Sequence, residues 1–264
     1  MYNGFDRSWV RMVRALKTVL LVLLASVSIS LGAAEERLGF MIHGVPSVRQ
    51  DWNLCGAAVL VSVMKYWGCN VSQQAAAKEV FDETLQAASG GDLVRYARMR
   101  GFSAYSYAGS LNDLKAKLEM GMPIIVLHES AGSESVGHYR IVIGYDDMLK
   151  SLFVIDPLDA GIYSISYDDF LAFWKRFGGW SLLVCPKSRD IFSVELDKSN
   201  PVVHFDLAYA YRRHGETKLA EQENRIAAEI GSRQVIVKSG SVHGAKGRAN
   251  KAATSNTAVS ARVR

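Results

Sequence analysis

The segment Gln50-Asp51-Trp52-Asn53-Leu54-Cys55-Gly56-Ala57-Ala58 sets a cysteine where a polar stretch gives way to an almost wholly apolar run. A thiol at that junction has a physical use. The unpaired N–H groups and the dipole of a helix N-terminus favour an anion, and with an imidazolium nearby they bring a thiol from its usual pKa of about 8.5 towards neutrality or below. The thiolate is the nucleophilic form. The same position also suits a structural cysteine, because cysteine is among the most buried residue types. Gln50, five residues earlier, adds a side-chain amide able to donate to a carbonyl oxygen as it becomes negative, with the Cys55 N–H as second donor. One such donor contributes on the order of 100- to 1000-fold in rate.

Two further positions complete a possible acyl-transfer set. In Val136-Gly137-His138-Tyr139-Arg140-Ile141-Val142-Ile143-Gly144-Tyr145 a glycine leads a strand-like run with His138 as its first residue. An imidazole there sits at a sheet end, where it can face a helix terminus across a cleft and act as base and then acid. Val154-Ile155-Asp156-Pro157 ends the next strand-like run on a carboxylate, which can fix the imidazole tautomer. His128, ending the preceding run, is the main competitor for the base. His43, His204, His214 and His243 lie in loop, helical or tail contexts, and Asp146 and Asp147 read as turn residues. No Cys-x-x-Cys pair supports zinc, and no GxxxxGK[ST] or GxGxxG segment supports a nucleotide, so no cofactor or metal is expected. Gly90-Gly91 and Gly178-Gly179 read as turns flanking helices.

These residues need elements to hold them. Cys55–Trp67 is apolar on nearly all sides, as a helix buried within a domain must be. Helical patterns follow at Ser72–Phe81 and Asp92–Arg100. Another begins at Ser110, whose spacing to Asp113 is that of a capping box, and stops at Gly121 before Pro123. The period then changes to short runs rich in β-branched and aromatic residues: Pro123–His128, Tyr139–Tyr145, Leu152–Asp156, Ile162–Ile165 and Trp180–Cys185. One helix interrupts them, Tyr167–Phe177, with Ser166 and Asp169 as its capping pair. Helices first and strands later argue for an α+β fold with an antiparallel sheet.

The chain has 264 residues, 49% of them hydrophobic, enough for one principal core with appendages. Its net charge of +5 suggests nucleic acid only until it is mapped. Seven of the 31 basic residues lie in 232–264 with no acid among them, and four more lie in 1–34 against one acid. That leaves 20 basic and 25 acidic residues for 35–231, a net −5, which gives no support to a nucleic-acid-binding body.

At the N-terminus, Arg7, Arg11, Arg14 and Lys17 precede an apolar run of 13 residues, Val19–Leu31, closed by Gly32-Ala33-Ala34. These are the three parts of a signal peptide, and the run is shorter than the roughly 20 residues of a membrane span. The expected location is therefore outside the cytoplasm, periplasmic or extracellular, with retention of the segment as an N-terminal anchor as the alternative. Three cysteines in an oxidising compartment leave at least one free, and Cys55 is the candidate. Cys69 and Cys185 could pair, though their spacing carries no geometry.

Residues 200–231 read as two further helices, with Leu207, Ala208, Tyr211, Gly215 and Ala220 spaced like the packing residues of a tetratricopeptide hairpin. One such unit cannot bury its own face and is expected to dock on the main domain. The last 33 residues bury too little apolar surface to offset the entropy of folding.

Together, Gln50 with Cys55-Gly56-Ala57-Ala58, Gly137-His138-Tyr139 running into Val142-Ile143-Gly144-Tyr145-Asp146, and Ile155-Asp156-Pro157 resemble the C39-like cysteine peptidases, a branch of the papain-like fold. Gly91-Asp92-Leu93 through Arg100-Gly101-Phe102, and Tyr167–Leu171 before Trp180, agree with it. The resemblance covers about residues 45–185. It implies Cys55 as nucleophile, His138 as base, Asp156 as its orienting carboxylate and Gln50 as oxyanion donor. It also implies bacterial origin and a peptide or protein substrate, such as a leader peptide or envelope protein. The expected organisation is a signal peptide at 1–34, a peptidase domain at 35–190, a helical hairpin at 196–231 and a basic tail at 232–264. The rivals are a non-catalytic peptide-binding module of a secretion or cell-envelope system and an acyltransferase on the same scaffold.

Overall fold

Four helices begin on a serine whose hydroxyl accepts the N–H three residues on, filling one of the donors that every helix start leaves open. They are α2 (Gln73–Val80) on Ser72, α3 (Gly90–Met99) on Ser89, α4 (Leu111–Glu119) on Ser110 and α5 (Tyr167–Trp174) on Ser166. In α3 and α5 the serine also donates to the carboxylate three residues on, Asp92 or Asp169, at 2.6 Å. The helix α1 (Cys55–Tyr66) differs: its N-cap is Leu54, and no side chain caps it. The structure is a computed structural model that describes residues 14, 16–18, 38–130 and 133–240, so the expectations for the remainder of 1–34 and for 241–264 lie outside the described residues.

The strands are β1 (Gly39–Met41), β2 (Phe81–Asp82), β3 (Ala87–Ala88), β4 (Phe102–Ala108), β5 (Ile124–Ser130), β6 (Ser133–Asp146), β7 (Ser151–Asp156), β8 (Gly161–Ser166) and β9 (Trp180–Pro186). Seven form one sheet in the order β4-β9-β5-β6-β7-β8, with β1 also on β6, and every pairing is antiparallel. The hairpin β2–β3 stands apart. The sheet separates two apolar layers. On one side α1 and α3 bury Leu60, Val63, Met64, Leu93 and Val94 against Tyr139, Ile141 and Leu182. On the other side, α4 and α5 bury Leu114, Leu118, Phe170 and Trp174 against Ile124, Val142, Val154 and Leu183. The α+β class with an antiparallel sheet is as the periodicities predict.

Three particulars differ from the sequence reading. Phe102–Ala108 is a strand, buried along nearly all its length and paired with β9, so strands and helices interleave rather than follow in blocks. The strand bearing His138 starts at Ser133, because β5 runs on to Ser130 and keeps pairing beyond Gly137 through a bulge. Gly90 and Gly91 are not a turn but the first residues of α3, where the absence of a side chain matters: a Cβ on Gly91 would lie 1.7 Å from the Asp206 carbonyl oxygen. Gly178 and Gly179 do form a turn, both with positive φ.

Beyond β9 come the short α6 (Ser193–Lys198), then α7 (Pro201–Arg213) and α8 (Thr217–Gly240), which form a helical hairpin. It packs on the main body as one unit, and α8 continues past residue 231, where the hairpin was expected to end. The buried Asp92 of α3 accepts Arg213 Nε at 2.9 Å and faces His214 Nε2 at 3.0 Å, while Tyr209 donates to Asp82 at 2.8 Å. Within the hairpin, His204 and Glu223 pair at 2.6 Å. No described helix is long and apolar enough to cross a membrane.

Candidate active site

Cys55 is the first residue of α1, and the helical ladder opens at Ala58 N to Leu54 O, 2.9 Å. The thiol thus sits at the uncapped, positive end of the buried helix. The neighbouring Gly56 lets this end approach the sheet. A Cβ there would fall 2.6 Å from Ala88 Cβ and 3.3 Å from the Tyr139 ring. Tyr139 is fixed in turn by its hydroxyl on Ala88 O at 3.3 Å and by Trp180 edge-on at 5.4 Å. Trp180 donates its indole N–H to Asp206 of α7 at 2.9 Å, so a continuous packed path runs from the hairpin to the head of α1.

His138 lies on β6 between the two partners expected of it. Its Nε2 meets Asp156 Oδ1 at 2.7 Å, and the Cys55 side chain is near enough to act on the charge of the ring. With Nε2 committed to the carboxylate, Nδ1 is the nitrogen left for sulfur. Burial penalises the imidazolium most, yet the hydrogen bond to Asp156 and the influence of Cys55 outweigh it and hold the pKa up at about 9. Asp156 moves the opposite way: burial would raise it, but His138, the Leu158 N–H at 2.9 Å and the charge of Arg140 hold its carboxyl well below the usual range. Both shifts describe one interaction, an imidazolium kept charged by a carboxylate.

Gln50 belongs to the loop leading into α1. Its N–H donates to Pro157 O at 2.7 Å, which anchors the loop beside the residue that follows Asp156. Its Oε1 is buried without a hydrogen-bond partner among the described residues. The structure therefore brings Cys55, His138 and Asp156 into one row, hydrogen-bonded between His138 and Asp156, and the backbone of Gln50 to the carboxylate end of that row. The row lies beneath the surface, with Cys55 1% and His138 5% exposed.

The sequence reading did not single out Arg140. Two residues on from His138, it shares that face of β6. Its Nε donates to Asp156 Oδ2 at 2.7 Å, and its Nη1 to His128 Nδ1 at 2.7 Å. His128, the competing base, sits directly across from His138, but its ring packs on Phe170 at 5.0 Å and Phe173 at 5.6 Å, with its nitrogen on Arg140. It thus supports the carboxylate from behind. The period-two rule applied to His138 points to Arg140. A cavity of about 390 Å³ opens beside Arg140 and Asp156, lined also by Leu158, Asp159, Tyr163 and Ile165 among others.

The other candidates lie elsewhere: His204 and His214 are the hairpin residues described above, and His243 is outside the described residues. All three cysteines are free. Cys69 is half-buried with Arg100 at 3.8 Å from its sulfur, while burial pushes the Cys185 thiol up to about 11. Among the described residues no group of three His, Cys, Asp or Glu could hold a metal ion.

A buried thiol, imidazole and carboxylate at the meeting of a helix head and an antiparallel sheet are the groups that thiol acyl transfer requires. Residues 42–182, just over half of the chain, match the Peptidase_C39 like family, and the chain belongs to that family, with its papain-like α+β fold. No curated protein matches the chain. Similar solved structures include the peptidase domain of Streptococcus ComA, a bifunctional ABC transporter, at 23% identity, covering 55% of this chain and 100% of that one with a TM-score of 0.45. A putative C39-like peptidase from Bacillus anthracis is 16% identical, covers 56% and 98%, and has a TM-score of 0.48. A double glycine motif protease of an AMS/PCAT transporter, in complex with its leader peptide, is 21% identical over 56% and 95% with a TM-score of 0.46.

Proposed function

We propose that this chain is a thiol peptidase that hydrolyses peptide bonds through Cys55, His138 and Asp156. The observation that carries the reading is the imidazole of His138 bonded to Asp156 at 2.7 Å, with the thiol at the head of α1 close enough to influence its charge. In this scheme the Cys55 proton rests on His138 Nδ1, as a thiolate–imidazolium pair, and the thiolate attacks the peptide carbonyl. Gln50 and the Cys55 N–H hold the oxyanion, and the imidazolium protonates the leaving amine. The freed imidazole then takes a proton from water, whose attack on the thioester returns the thiol. The substrate is a peptide or protein chain. The basic residues ahead of Val19–Leu31 support export, so we place the reaction outside the cytoplasm. We assign the peptidase domain to 35–190 and the docked hairpin, a tetratricopeptide-like unit, to the residues that follow from 196.

The test is cleavage of a peptide library read by mass spectrometry with wild type and Cys55→Ala. Products from wild type alone support the reading, and equal cleavage by Cys55→Ala overturns it. A non-catalytic peptide-binding module is the reading that the 1% exposure of Cys55 favours. If both proteins bind the same peptides and neither cuts them, the module is the better account.

A further inference from the structure

The loop that carries Gln50 has a second anchor at the start of α2, where Gln74 Nε2 also donates to the Asp51 carboxylate at 2.9 Å. Gln73, the first residue of α2, is 7% exposed and spends both ends of its amide on this loop. Its Oε1 accepts the Asp51 N–H at 2.8 Å, and its Nε2 donates to the Arg49 carbonyl at 2.8 Å. The two backbone groups lie on either side of Gln50. With the Gln50 N–H bound to Pro157 O at 2.7 Å, three consecutive residues are tethered through the main chain. Downstream, Leu54 N–H closes a turn on Asp51 O at 3.0 Å and Asn53 takes a positive φ of 57°, which delivers the chain to Cys55.

Nothing among the described residues holds the Gln50 side-chain oxygen. The reach of the Gln50 amide therefore depends on the backbone under it, which Gln73 holds on either side of the Pro157 tether. We propose that Gln73 is a positioning residue for acyl transfer: it clamps Arg49 and Asp51 so that the Gln50 amide meets the carbonyl oxygen attacked by Cys55. The inference rests on the peptidase reading, and in particular on Gln50 as oxyanion donor.

Only glutamine fits this post. Glutamate offers acceptors alone and would set a carboxylate against the Arg49 carbonyl. Methionine fills the volume but ties neither group, and asparagine is one methylene short. An oxyanion donor displaced by about an ångström loses most of its effect while the thiol and imidazole stay in place.

Two reagents separate those outcomes without a known substrate. With p-nitrophenyl acetate, the Cys55 sulfur bonds to the acyl carbon through a tetrahedral oxyanion, the C–O bond breaks and p-nitrophenolate leaves. With iodoacetamide the sulfur displaces iodide at a saturated carbon and no oxyanion forms. In both, the thiol proton rests on His138. The full chain is used, with labelling at Cys55 read by peptide mass to set Cys69 and Cys185 aside. Gln73→Met is expected to slow acylation roughly 10- to 100-fold and leave alkylation within about two-fold. Gln73→Glu, which keeps the shape, is expected to do the same or more. In a Gln50→Ala background, Gln73→Met is expected to add nothing, since both changes remove one donor. Equal slowing of both reagents, an additive loss in the Gln50→Ala background, or wild-type acylation by both Gln73 variants each overturns the inference alone. Equal acylation of wild type and Cys55→Ala elsewhere on the chain, with none at Cys55, overturns the peptidase reading and the inference with it.

Discussion

Asp156→Asn tests the central row most directly, because both oxygens of this carboxylate accept from donors. Oδ2 receives Arg140 Nε at 2.7 Å, and Oδ1 receives the Leu158 N–H at 2.9 Å as well as His138 Nε2 at 2.7 Å. An asparagine has one oxygen to offer, and the guanidinium, charged and donor-only, claims it. The amide NH₂ then faces His138, which must present a bare Nε2 and carry its proton on Nδ1, towards the sulfur. That tautomer cannot take a proton from the thiol. With the carboxylate gone, only Cys55 still opposes burial at the imidazole, so its pKa is expected to fall from about 9 towards its ordinary value of 6.5. The full span would be about 3 kcal/mol at roughly 1.4 kcal/mol per unit, an upper bound on the change. Peptide cleavage at pH 7 is expected to drop by about 10³- to 10⁴-fold, the scale of a forced wrong tautomer in such a set. The assay is NMR titration of the His138 ring beside the rate of Cys55 alkylation between pH 6 and 9. A His138 that still titrates near 9 in Asp156→Asn, or a Cys55 alkylated at pH 6 as fast as wild type, would refute the reasoning.

Three other outcomes follow from the same geometry. A folded His138 pKa above the unfolded value stabilises the fold fully below pH 6.5, and that contribution is lost as pH rises through about 9. Melting is expected roughly 6–12 °C lower at pH 9.5 than at pH 6, for about 3 kcal/mol in a chain of this size, and a flat profile by calorimetry contradicts it. Gly56→Ala forces a methyl to within 2.6 Å of Ala88 Cβ and is expected to cost about 1–3 kcal/mol, read by urea denaturation, with cleavage reduced because the head of α1 must back away from Tyr139. Asp92→Asn takes the charge from beneath Arg213 and His214 and is expected to loosen α7, seen as new proteolytic cuts in 196–231 while wild type stays intact.

The sequence carried the site further than it carried the sheet. Cys55 at a polar-to-apolar junction, His138 behind a glycine and Asp156 before a proline are local signals, and the structure brings these three side chains together. Ser110 and Ser166 are legible as caps for the same reason, since a cap depends on residues three apart. The strand Phe102–Ala108 was not read, although Phe102, Ala104 and the tyrosines at 105 and 107 are apolar enough to mark one. It is buried on both faces, so the alternation that identifies a half-exposed strand is absent. The support given by Arg140 follows from strand periodicity once His138 is chosen. That of Gln73 does not, because its partners are backbone groups 22 and 24 residues away and no side-chain pattern encodes them.

The contact between Gly91 and Asp206 is made to main chain, and this limits how the hairpin can be varied. A side chain can turn aside from a larger neighbour, whereas a carbonyl in the middle of α7 cannot without moving the helix. Any residue but glycine at position 91 would prise α7 from α3 and pull Asp206 from Trp180, whose ring braces Tyr139 beside the head of α1. Hairpin and peptidase body are thus joined like two castings poured together, and an engineer who exchanges one must recast the other.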